Sequence, residues 1–146
     1  MSVKVITSKD HGFEERANQI VALYNESNDS DHHEQIELAV DHKLKLIFVE
    51  GVDGGVIVDA WHDNSNNNFM FYSINFAAFP PEARNKGHLK ACMRECGFPI
   101  ETVQINPWDP IELWQNLGFT LAGTLGFTTM LRSRDFENVR WGPCFI

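Results

Sequence analysis

Apolar positions recur at two different periods along this chain, and the switches between them mark out its elements. Val3 and Val5 alternate within Ser2–Ile6, which predicts a short strand with both on one face, followed by the polar turn Thr7-Ser8-Lys9-Asp10. Phe13, Ala17, Ile20, Val21 and Tyr24 fall at helical spacing, which predicts an amphipathic helix over 11–26. A polar break, Asn25 to Asp31, precedes a second predicted helix. That helix starts near Ser30 as its cap, with acids in its first turn and Ile36, Ala39 and Val40 as its apolar side. The period then shortens. Leu44–Val49 and Val56–Trp61 read as strands joined by Val52-Asp53-Gly54-Gly55, where Asp-Gly is the hairpin signal. Asn64-Ser65-Asn66-Asn67-Asn68 reads as a second hairpin loop, leading into a strand over 68–79.

A helix over 88–96 follows, stopped by Gly97-Phe98-Pro99, then a strand over 101–105. Pro110 to Leu117 reads as a short helix, with proline in its first turn and Gly118 closing it. Residues 120–132 are β-rich, and 138–146 reads as a last strand or a docked coil. The predicted order is β-α-α-β-β-β-α-β-α-β(-β). It defines an α/β class: one domain over 1–146, with a mixed, largely antiparallel sheet flanked by helices and a βαβα crossover in its second half.

The 146 residues suffice to bury a core without a disulfide or metal staple. No apolar run reaches membrane-spanning length, and the first residues lack the apolar centre of a signal peptide. Three cysteines fit a reduced, cytoplasmic protein, and no membrane partner is expected. Twelve basic against twenty acidic residues give a net charge of −8, which argues against nucleic acid as a partner. Eight of the acids lie between 26 and 53, facing only Lys43 and Lys45. That segment is either a solvated face or a mouth that attracts a cationic ligand.

Against this acidic background, Arg84, Lys86, Lys90 and Arg94 fall within eleven residues that contain no acid. They occupy Phe79-Pro80-Pro81-Glu82-Ala83-Arg84-Asn85-Lys86-Gly87-His88-Leu89 and the helix it opens. An apolar strand, a proline stop, an arginine, a polar turn with one glycine and a helix start make an anion site. The first amides of a helix have no partner within it, and the helix dipole adds positive potential there. A phosphorylated ligand is expected.

These elements resemble the GNAT superfamily of N-acetyltransferases, which use acetyl-coenzyme A (acetyl-CoA). The resemblance covers nearly the whole chain in element order and is sharpest at 76–89 and 100–119. The family's phosphate loop is Arg or Gln, two residues, Gly, one residue, then Gly or Ala. Arg84-Asn85-Lys86-Gly87-His88 matches its first five positions, and Leu89 stands at the sixth. Glu101 to Asn106, a strand ending in Asn, and Leu113-Trp114-Gln115-Asn116-Leu117-Gly118-Phe119 resemble the family's next strand and helix.

The resemblance implies that Ala77, Phe79 and residues Arg84, Asn85, Lys86, Gly87, His88 and Leu89 hold acetyl-CoA. The backbone of Ala77 and Phe79 would pair with the pantetheine arm, and Asn106 would lie beside it. Trp108 would line the mouth of the acceptor site. Trp114 replaces a tyrosine that protonates the leaving thiolate in many members, and tryptophan cannot supply that proton. Some relatives carry a glutamate base near the position of Ser73. Here deprotonation would run through water held by Ser73, Tyr72 or Asn75, or use His62, Asp59 or Glu50. Ser73 and His62 are the catalytic candidates, His62 because its intrinsic pKa suits a base.

The implied activity is direct transfer of acetyl to a primary amine, on a small cationic molecule, a protein lysine or an N-terminus. The alternatives are an inactive GNAT-fold binding or structural protein and a CoA-binding sensor. A monomer or homodimer is expected, and no metal. Cys92 and Cys96 share a helical face and read as core thiols, and His32-His33 lie in an acidic helix start rather than at zinc spacing.

Overall fold

The computed structural model describes residues 1–27, 43–125 and 128–133, with side chains through Gly123. Its strands are β1 (Val3–Thr7), β2 (Leu44–Val49), β3 (Gly55–His62), β4 (Phe69–Ala78), β5 (Thr102–Ile105), β6 (Phe119–Leu125) and β7 (Thr128–Ser133). Its helices are α1 (Phe13–Ser27), α2 (His88–Glu95) and α3 (Ile111–Asn116), with a 3-10 turn at Pro81–Ala83. The mixed α/β class and the element order agree with the sequence pattern. The second predicted helix and the tail at 138–146 lie outside the described residues.

Contacts divide the chain into two units. Unit one comprises 1–59 and 76–98, and unit two comprises 60–75 and 99–146. The hairpin β3–β4 runs through both. In unit one the strand order is β1-β2-β3-β4. β1 pairs antiparallel with β2, Val3 opposite Val49, and β2 pairs antiparallel with β3, Leu46 opposite Ile57. Val56, Ile57 and Val58 are all fully buried in succession, so β3 is covered on both faces here. The five apolar positions of α1 named above are all buried. Burying a side chain such as Phe13, Ile20 or Val21 contributes roughly 1.5–3 kcal/mol, so this stripe docks α1. β1 forms as a strand, as the sequence indicates; it is an edge strand, and Val5 is 36% exposed.

In unit two the order is β3-β4-β5-β7-β6. β4 and β5 are parallel, with Ser73 opposite Thr102 and Ile74 opposite Val103. β7 is antiparallel to both β5 and β6, with a register shift between Leu121 and Gly123. Phe71, Ile74, Val103, Ile105, Trp114 and Phe119 are buried. The Asn-rich segment is a hairpin loop, as the sequence indicates. Asp63 Oδ1 accepts from the Ser65 amide and hydroxyl at 2.8 and 2.6 Å, and Asn66 Oδ1 accepts from the Asn68 amide at 2.9 Å.

Within unit one, the β2–β3 turn lies directly on the end of β4. A Cβ added at Gly54 would collide with the Ala78 carbonyl oxygen and lie 2.9 Å from Phe79 Cα. Gly54 also has φ of +87°, which side-chain-bearing residues avoid. Helix α1 fixes the turn from the other side. Arg16 Nη1 donates to the carbonyls of Val52 and Gly54 at 2.7 and 3.2 Å, and Gln19 Oε1 accepts from the Gly54 amide at 2.8 Å. The Arg16 guanidinium also stacks over the Phe48 ring at 4.1 Å. Gly54→Ala is therefore expected to cost about 2 kcal/mol or more, from strain at positive φ and the backbone collision. Urea denaturation measures this.

Candidate anion and cofactor site

β4 ends because two consecutive prolines follow Phe79, and neither can donate to a ladder. The Ala83 amide then bonds to the Pro80 carbonyl at 2.9 Å, forming the 3-10 turn. Arg84 folds back, and its Nε donates to the Phe79 carbonyl at 3.0 Å. The guanidinium is thereby held at the strand end while the residue stays exposed. One of the backbone acceptors expected to face the cofactor thus already accepts from Arg84 within the chain.

The turn that follows takes two left-handed residues. Asn85 has φ of 59°, a conformation asparagine tolerates, and Gly87 has φ of 82°. Gly87 is the N-cap of α2 and accepts the first helical bond, from the Ala91 amide at 2.9 Å. A Cβ at Gly87 would meet no protein atom within 4 Å, so its glycine serves conformation and leaves open space above the turn. The cap makes no side-chain hydrogen bond to the helix, and the first turn of α2 carries no acid. Residues 84–87 are exposed, and His88 and Leu89 are partly so. His88 lies 6.0 Å from the Phe79 ring, and its Nδ1 is buried without a hydrogen-bond partner among the described residues. The donor set suits an anion of high charge: amides at a helix start, the Arg84 guanidinium and the Lys86 ammonium.

Helix α2 packs through Cys92, which is fully buried. Burial pushes its thiol up to about 12, with smaller contributions from Cys96 and Glu95. Cys96 Sγ lies 3.2 Å from the Phe98 carbonyl, and both thiols are free. They are core groups, as the sequence indicates.

The structure brings Ala77, Phe79 and Arg84 through Leu89 together as one continuous segment of unit one. The remaining candidates, His62, Ser73, Asn106 and Trp108, lie in unit two. His62 ends β3, its Nδ1 3.3 Å from the Ala60 carbonyl and its ring edge-on to Phe69. Ser73 is wholly buried in β4. The Asn106 amide donates to Asp109 Oδ2 at 2.7 Å and its carbonyl accepts from the Asp109 amide at 3.0 Å, so Asn106 opens a tight turn that contains the partly exposed Trp108. Trp114 is buried edge-on against Phe119. Sequence reasoning missed Arg16, Gln19 and Gly54, which brace the strand end. Gly54 was legible only as part of the Asp-Gly turn, and Arg16 and Gln19 carry no signal beyond flanking the apolar stripe of α1, from which both reach the turn.

No family model and no curated protein matches the chain. Its fold is that of the GNAT-type acetyltransferases, as comparison with solved structures shows. An acetyltransferase from Thermus thermophilus superposes with a TM-score of 0.62 at 12% identity, covering 90% of this chain and 96% of that one. An N-acetylglutamate synthase from Neisseria gonorrhoeae, complexed with coenzyme A and N-acetyl-glutamate, superposes with 0.56 at 13% identity. That match covers 91% of this chain but 35% of the synthase. The PH1933 protein from Pyrococcus horikoshii gives 0.53 at 14% identity, covering 92% and 99%. Among the described residues no helix is long and apolar enough to cross a membrane.

Glu101, next to the start of β5, is a local weak point in unit two. Its amide donates to the Tyr72 carbonyl at 3.1 Å, while its Oε2 is buried without a partner among the described residues. Desolvation raises its carboxyl above the usual carboxylate range. The folded state therefore binds this proton more tightly than the unfolded state. Stability from this group falls as pH rises through the window between the two values. Glu101→Gln should be more stable than the parent at neutral pH, with the difference shrinking as pH drops below the carboxylate range. Urea midpoints across the acidic-to-neutral range measure it.

Proposed function

We propose that this chain is an acetyl-CoA-dependent N-acetyltransferase that moves acetyl directly to a primary amine, acting as one domain over 1–146. The observation that carries this reading is the loop from Arg84 to Leu89. It places an uncapped helix start and two cations at the end of β4, in an otherwise acidic protein. The fold of known acetyltransferases supports it. The amides at 85–89, with Lys86 and Arg84, would hold the pyrophosphate of the cofactor. Ala77, small and partly exposed, would allow an extended arm to lie along β4. When bound, acetyl-CoA supplies an activated thioester.

The chain's own groups bring modest acid–base chemistry, so positioning of amine and thioester would supply much of the rate. Ser73 has no exposed surface and would reach a proton only through water. His62 is the partly exposed titratable candidate. Neighbours in fold include a synthase complexed with N-acetyl-glutamate, which fits an amino acid among the amine acceptors to test. The second reading is a CoA-binding protein without turnover. The burial of Trp114 against Phe119 favours it, because that aromatic ring serves packing rather than proton transfer.

Isothermal titration with acetyl-CoA is the first test, and binding below millimolar is expected. Lys86→Glu, at an exposed position, should weaken it about tenfold or more, the scale of one charge-assisted contact. Absence of binding at millimolar ligand sinks both readings. Thiol release over a panel of primary amines then separates them: release assigns the transferase, and binding without release assigns the non-catalytic protein.

A further inference from the structure

Ser73 and Thr102 face each other across the parallel ladder of β4 and β5. Both residues are 0% exposed. Neither Ser73 Oγ nor Thr102 Oγ1 has a hydrogen-bond partner among the described residues, including each other. Two positions further on, Gln104 Nε2 donates to Asn75 Oδ1 at 3.2 Å. Side chains alternate along a strand, so Asn75 shares a face with Ser73, and Gln104 shares one with Thr102. The hydrogen bond between Asn75 and Gln104 places both pairs on the same face of the ladder. That face carries two successive polar pairs. The outer pair satisfies itself, and the inner pair does not.

An isolated buried hydroxyl lowers the folding equilibrium roughly tenfold or more. Two on facing positions, beside strands otherwise packed with Phe71, Ile74 and Val103, need a common explanation. Each hydroxyl offers one O–H and two lone pairs, so a single water can accept from one and donate to the other. Internal waters characteristically occupy such places, bonded to buried groups that have no other partner.

We propose that Ser73 and Thr102 hold one internal water molecule between β4 and β5. The water ties the two strands through their side chains where the main-chain ladder pairs Ser73 with Thr102 and Ile74 with Val103. It also gives Ser73 a defined role, as an anchor of bound solvent inside the sheet. The proposal does not rest on acetyl transfer, and its test reads stability and crystallographic density rather than activity.

Thr102→Val removes the hydroxyl at nearly constant shape, and Ser73→Ala removes its partner. Each should raise the unfolding constant roughly tenfold in urea denaturation, because the water loses one anchor. The double variant should fall well short of the roughly hundredfold product, because both changes forfeit the same water. Thr102→Val with unchanged or greater stability overturns the proposal, since it shows a dry hydroxyl that the fold is better without. So does a double variant that reaches the full product. If a variant does not fold, a high-resolution crystal structure of the parent decides. An ordered oxygen within about 3.2 Å of both hydroxyls is expected. A direct Ser73–Thr102 hydrogen bond, or no density between them, overturns it.

Discussion

The anion loop depends on where β4 stops, and that position is set by backbone lying on backbone. The β2–β3 turn approaches Ala78 and Phe79 so closely that only glycine fits at position 54. Approach at this distance brings peptide dipoles together with no side chain to cushion them. It persists because α1 holds the turn through three hydrogen bonds, from Arg16 to two carbonyls and to Gln19 from the Gly54 amide. The apolar stripe of α1 fixes the helix against β2, and its polar flank fixes the turn. Packing and hydrogen bonding thus converge on one strand end.

From there the chemistry is local. Pro80 and Pro81 end the ladder, Arg84 caps the Phe79 carbonyl, and two left-handed residues turn the chain into α2. No step in this path needs a long-range contact beyond the braced strand end. The positive character is local as well. A net charge of −8 repels polyanions at a distance, whereas the loop attracts one within about a Debye length. A compact anion offered to a surface of opposite sign nearby is favoured over an extended one. This charge pattern suits a small phosphorylated cofactor better than nucleic acid.

Much of this was legible in the sequence, for reasons that differ by element. The helix α1 was readable because its five buried residues are all apolar and recur at helical spacing. The two hairpins were readable because Asp-Gly and the asparagine run have few other uses. The loop was readable because Pro-Pro, a lone glycine and clustered cations lie within a dozen residues. The bracing of β4 was not readable, since Arg16 and Gln19 look like solvent-facing helix residues until the turn is placed beside them. The exposure of Val5 was not readable for a related reason: alternation indicates a face, but an edge strand need not have that face covered.

Ser73 shows the same limit from the other side. In the sequence it stands out only as a weak group at a position where a base would serve, which directs attention to its reactivity. Its partner, Thr102, carries no signal at all, because threonine is an ordinary strand residue. Only the register puts the two hydroxyls opposite one another, and only burial makes them costly. A serine that is fully enclosed cannot meet an acceptor directly, so any part it plays in proton movement passes through bound solvent. The relevant property of Ser73 is therefore its pairing across the ladder rather than its own acidity.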